Sequence, residues 1–153
     1  MSIDQAYNFR KVTDIVSTAG VLSIDQLKLL GREGYEAVIN LLPDDSEYAI
    51  ENEASIVEMQ SITYEHIPVD FSAPLESDYR LFARKMSALS TAKVLVHCAA
   101  NYRASAFYAI YAHLNLGWSE NQSREFMRSV WNLDDYPVWE RFVAKMLGDK
   151  SSS

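Results

Sequence analysis

An apolar run that passes through the only cysteine and on into an alanine-rich segment, Lys93-Val94-Leu95-Val96-His97-Cys98-Ala99-Ala100-Asn101-Tyr102-Arg103-Ala104-Ser105, limits what this chain can fold into. Val94 to Val96 is short, apolar and β-branched, the pattern of a strand buried on both faces. Ala104 to Leu116 is long enough and rich enough in alanine to be a helix. Cys98 therefore falls on a strand-to-helix turn. There the first free N–H groups of the helix converge and the helix dipole adds roughly half a positive charge, so the turn attracts anions. A helix N-terminus and a neighbouring cation both favour thiolate over thiol. Arg103 brings back to the loop a planar fork of donors that matches two oxygens of a phosphate. Nucleophile, loop amides and arginine together form a set able to handle an anion. A lone cysteine at a strand end also reads as a small core hydrophobe; the turn and Arg103 favour the nucleophile.

Upstream, strands and helices alternate. Phe9 to Val16 is a strand candidate, and Ser17-Thr18-Ala19-Gly20 a turn. Ser23 with Gln26 makes a capping box for a short helix through Leu27, Leu29 and Leu30, ending at Gly31 or Gly34. Glu36 to Leu42, closed by Pro43, reads as a buried strand, and Asp44-Asp45-Ser46 as the start of a helix over Glu47 to Gln60. Ile62 to Val69 is the next strand, with Asp70 at its C-terminal end. Ser77 or Asp78 then caps a helix whose face is Tyr79, Phe82, Met86 and Leu89. After the signature, the Ala104 to Leu116 helix stops near Gly117. Ser119 with Gln122 caps another to about Val130, and Pro137 opens a last helix packing through Trp139, Phe142, Val143, Met146 and Leu147. The expected fold is α/β: a central, mostly parallel sheet of four to five strands flanked by helices, with the cysteine loop between a strand and the central helix. Sheets of this kind bind ligands beyond the carboxyl ends of their strands, where Asp70 and Cys98 both fall.

With 153 residues and 48% hydrophobic content the chain fits one domain over residues 1–150, followed by a polar tail, Ser151 to Ser153. No apolar run reaches membrane-spanning length and no secretory leader is visible. One cysteine excludes an internal disulfide and suits a reducing cytosol, although a chain trimmed of a leader looks the same. A net charge of −7 without a block of lysine and arginine argues against nucleic-acid or anionic-membrane partners. No Cys/His spacing suggests a metal, and Trp118, Trp131 and Trp139 read as core.

Gly34 to Leu41, then Tyr64-Glu65-His66-Ile67-Pro68-Val69-Asp70, then Val96-His97-Cys98 with Arg103, together resemble a dual-specificity phosphatase-like member of the cysteine-dependent protein tyrosine phosphatase superfamily. More narrowly they resemble the bacterial branch related to the phosphatase-like domain of β-lactamase-hydrolase-like proteins. The resemblance runs in order from Phe9 to Leu116. It implies a phosphate monoesterase acting through a phosphocysteine without metal or organic cofactor. Cys98 would be the nucleophile and Asp70 the general acid. Arg103 and the amides of Ala99, Ala100, Asn101 and Tyr102, with Ala104 and Ser105 at the helix start, would hold phosphate, and His97 would fix the loop.

Three departures stand out. Only four residues separate Cys98 from Arg103, one fewer than in the usual phosphatase signature. Asn101 replaces a usual loop glycine; it is one of the few other residues that enters the left-handed region readily. Ala104 replaces the hydroxyl that assists thiolate departure in the family. The short loop also occurs in rhodanese-like sulfurtransferases, whose cysteine carries a persulfide, and the missing hydroxyl leaves room for a weakly active phosphate-binding module. Asp70 reads either as the general acid or as a turn residue, with Asp78 and Glu76 as fallback acids; His66 and His113 read as structural. The substrate stays open among a phosphotyrosine protein, a small phosphometabolite and a phospholipid head group. The sequence sets no oligomeric state.

Overall fold

The computed structural model describes residues 2–148; the Ser151 to Ser153 tail lies outside the described residues. Five strands, β1 (Arg10–Lys11), β2 (Val16–Ala19), β3 (Ala37–Asn40), β4 (Thr63–His66) and β5 (Val94–His97), form one sheet in the order β1-β2-β5-β3-β4. Only the β1–β2 pair is antiparallel. The helices are α1 (Ile24–Leu29), α2 (Glu53–Glu58), α3 (Glu76–Ala88), α4 (Tyr102–Asn115), α5 (Glu120–Val130) and α6 (Pro137–Gly148). The expected α/β class is the observed one.

Strands buried on both faces send alternate side chains into two cores. Ala37 and Ile39 of β3 and Val94 and Val96 of β5 join the core formed with α3, α4 and α6. Val38 and Leu95 face the opposite core, against Leu27, Leu30 and Val57. Strand β5 lies between β2 and β3, so Cys98 leaves the middle of the sheet at a carboxyl edge, where such sheets place ligands. Helix α4 behind it is buried almost throughout.

The capping boxes at Ser23 and Ser119 form as the spacing requires, each with its N3 glutamine. Pro137 opens α6. Gly34 and Gly117 adopt left-handed φ of 88° and 82° just after α1 and α4.

The sheet and helix limits depart from expectation in several places. The strand expected over Phe9 to Val16 is a hairpin that turns at Thr13, whose Oγ1 accepts from the amides of Ile15 and Val16. Ser17 to Ala19, expected to turn, is the paired strand. The helix expected over Glu47 to Gln60 shrinks to Glu53–Glu58. Ser46 instead accepts from the Tyr48 amide and builds a local turn, and Asn52 at φ 68° breaks the helical path. Strand β4 ends at His66 because Pro68 has no amide to give. The chain continues extended, with the Val69 amide on the Leu41 carbonyl. Leu75, not Ser77 or Asp78, precedes α3, and α4 begins two residues early, at Tyr102. Among the described residues no helix is long and apolar enough to cross a membrane.

Candidate active site

Cys98 sits at the base of a cleft of about 180 Å³ lined by Phe71, Cys98, Ala99, Ala100, Tyr102 and Arg103. A second cleft of about 310 Å³ shares Phe71 and Arg103 with it and adds Pro43, Asp45, Ser46 and Asp70. The fold thus brings Cys98, Arg103 and Asp70 to one carboxyl edge of the sheet. Ala99, Ala100 and Tyr102 line the first cleft as well.

The loop is tied down from behind through its carbonyls. Ala99 O accepts from the Val21 amide at 2.9 Å and Ala100 O from Asn8 Nδ2 at 2.9 Å. Asn101 takes φ 72° and donates through Nδ2 to Asn8 O at 2.8 Å. The left-handed step expected of Asn101 is therefore present, and its side chain anchors the loop without lining the cleft. Gly20 makes the close approach possible: a Cβ there would fall 2.7 Å from Ala99 O and 2.9 Å from Tyr7 O. Among the described residues, the amides of Ala99, Ala100, Tyr102 and Arg103 donate to no protein acceptor. They sit at the N-terminus of a fourteen-residue helix, a setting suited to an anion.

Arg103 is more than nine-tenths buried. Its Nη1 donates to Val69 O at 2.9 Å, its Cζ lies 5.4 Å from the Phe71 ring centroid, and its Nε has no partner. One edge of the guanidinium is thus fixed to the scaffold while a charged donor remains unspent.

Asp70 lies in the second cleft, where its Oδ1 accepts from both the amide and the hydroxyl of Ser72, at 2.9 and 2.7 Å. Those bonds, with the Arg103 charge beyond them, hold its carboxyl below the usual aspartate range. Of the fallback acids, Glu76 is held by Arg80 and by Lys145 at 3.2 Å. Burial pushes the Asp78 carboxyl up, but Asp78 lines neither cleft.

Ala104 and Ser105 do not reach the cleft, which corrects the expectation that they bind substrate. Both are fully buried. The Ser105 amide goes to Asn101 O and its hydroxyl to Tyr102 O, because α4 starts early enough to absorb both groups. His97 turns to the opposite core, where Nε2 meets Glu53 Oε2 at 2.6 Å in a buried pair. His66 and His113 make ring contacts to backbone carbonyls, at Leu42 and at Trp118 and Leu147. A larger hollow of about 730 Å³, lined by Asn40, Glu53, Tyr64 and His66 among others, lies beside α2 and holds neither Cys98 nor Arg103.

Several supporting residues carry no sequence signal of their own. Asn8 belongs to a patternless N-terminal segment, and Glu53 to a helix expected to begin elsewhere. Phe71 is boxed by Tyr102, Trp131, Tyr136 and Trp139, with Tyr102 and Trp131 stacked at 4.4 Å and Trp139 Nε1 donating to Phe71 O at 2.7 Å. Trp131 and Trp139 are core, as expected, and also brace the cleft wall.

This strand-loop-helix arrangement is that of the cysteine-dependent protein tyrosine phosphatase fold. P. aeruginosa TpbA, solved in complex with pTyr, matches 95% of the chain and 91% of its own at a TM-score of 0.72 and 15% identity. The chain belongs to the DUF442 family of phosphatase-like proteins: a member from Shewanella putrefaciens CN-32 is 32% identical, with 97% of this chain and 96% of that one covered at a TM-score of 0.87. A β-lactamase hydrolase-like protein of Xylella fastidiosa strain Temecula1 is 30% identical over 106 residues, 65% of this chain. The chain spans about a quarter of the length of the curated relatives it matches, 24% and 23%. No protein-family model matches it.

Proposed function

We propose that the protein hydrolyses phosphate monoesters through a phosphocysteine at Cys98. The observation that carries this is the unspent donor set around Cys98: loop amides at the start of α4 and the unpartnered, buried Nε of Arg103. Phosphate is held on those donors. The Cys98 thiolate attacks phosphorus, the bond to the ester oxygen breaks, and Asp70 protonates the departing oxygen. Water then attacks the phosphocysteine with Asp70 taking its proton, the P–S bond breaks, and the thiolate returns. His97, paired with Glu53, positions the end of β5 just before the nucleophile. Release of phosphate from a generic aryl phosphate tests the reading. Cys98→Ser and Arg103→Ala should each lower turnover by about a thousandfold or more, and full activity in Cys98→Ser would sink it.

The bonds that keep Asp70 ionised, together with the four-residue loop, favour a second reading, sulfur transfer through a Cys98 persulfide, since that reaction asks for no protonated carboxyl. Thiosulfate turnover without phosphate release would decide for it.

A further inference from the structure

We infer that the cleft beside the Cys98 pocket takes a positively charged residue flanking the phosphorylated residue of a peptide substrate, with Asp45 as its acidic partner. The inference rests on the phosphatase reading of Cys98.

Arg103 lines both clefts and is the one cationic side chain among the described residues lining either. Its buried, unpartnered Nε marks where an anion belongs. A phosphate dianion seated there more than cancels the guanidinium. Across the second cleft it then faces the exposed carboxylate of Asp45, on a wall shared with Asp70, which carries its proton for the leaving oxygen. A neutral flank would leave the phosphate and Asp45 uncompensated, and an acidic one would add a third like charge. A lysine or arginine compensates them: its stem can lie along Pro43 and Phe71 while its head meets the Asp45 carboxylate. About 310 Å³ is ample for one such side chain.

The acidic character continues past the cleft on the same β3–α2 loop. Glu47 and Glu51 are exposed there, as is Asp44, 3.9 Å from His66. A small aminoalkyl phosphate would end within the cleft, whereas an extended peptide advances about 3.3 Å per residue and passes along the whole loop. Asp45 thereby becomes a specificity-determining residue that the sequence pattern treated as helix-start chemistry.

The test compares two phosphotyrosine peptides of one sequence, flanked on both sides by lysine or by glutamate, with phosphate release as the readout. The lysine-flanked peptide should have a kcat/KM about tenfold higher at low salt, equivalent to about 1.4 kcal/mol, with the ratio shrinking as salt rises. Asp45→Lys should bring the ratio to unity or invert it. Asp25→Lys, the same charge change on α1, should leave most of it. Equal rates on the two peptides in a protein that hydrolyses a generic aryl phosphate would overturn the subsite and leave the phosphatase reading standing. Where no phosphate is released from any substrate, the same pair is measured by fluorescence anisotropy on Cys98→Ser. Tighter binding of the lysine-flanked peptide upholds the subsite, and equal binding or glutamate preference overturns it.

Discussion

Asp70 holds its carboxylate in a turn of its own making, and in the proposed reaction that sets the pH at which it can serve as the acid. A general acid acts only while protonated, and the two bonds from Ser72 favour the ionised form. Its folded pKa is therefore depressed, so protonation at neutral pH is scarce and the rate on poor leaving groups should fall as pH rises through that depressed value. Ser72→Ala removes the hydroxyl bond, lets the pKa climb toward the ordinary aspartate range, and should move the falling limb of the pH–rate profile to higher pH. A limb that stays in place means another group is the acid. Arg103 differs in kind: pinned to Val69 O, it is oriented before any ligand arrives. Cys98 and Asp70, the proposed nucleophile and acid, stood out in the sequence by their place at the ends of apolar runs, and Arg103 by its spacing from the cysteine. Ser105 misled because a hydroxyl near an arginine says nothing about whether its helix has already claimed it.

The loop between β5 and α4 is held by neighbours distant in sequence, and two substitutions probe them. Gly20→Ala drives a Cβ into the backbone oxygens of Ala99 and Tyr7, which cannot rotate away. A loss of about 1–3 kcal/mol in denaturant unfolding is expected, together with a fall in activity. Unchanged stability and turnover would show that the loop does not depend on this approach. Glu53→Ala leaves His97 buried without its carboxylate, a change that costs about 3–5 kcal/mol in comparable buried pairs, whereas Glu53→Gln keeps a hydrogen-bonding oxygen and should cost less. Equal, small losses in both would mean that the pair contributes nothing. The periodic elements β3, β5, α1, α4, α5 and α6 were readable because apolar spacing and caps act locally. The β3–α2 loop was not, because Asp44-Asp45-Ser46 offers the same polar atoms to a turn as to a helix cap. The Thr13 hairpin likewise turned on a side-chain bond that apolar alternation does not register.

At the scale of the whole molecule, the sheet order puts β5 at the centre with helices on both faces, so one strand end receives support from both cores. The order of apolar runs made the α/β class legible. The pairing order, and with it the aromatic box from α5 and α6 that braces Phe71, depends on contacts far apart in the chain. On a molecule of net charge −7, the proposed anion site is a local exception built from backbone dipoles and one buried arginine. Covalent capture of phosphorus at its centre is tested most directly by mixing the protein with an aryl phosphate, quenching in acid before the steady state, and weighing the Cys98 peptide by mass spectrometry. The expected result is a phosphoryl group on Cys98 that forms in the wild type and is lost in Arg103→Ala. A Cys98 that stays unmodified throughout turnover, or that gains a sulfur atom from thiosulfate while no phosphate is ever released, would contradict it.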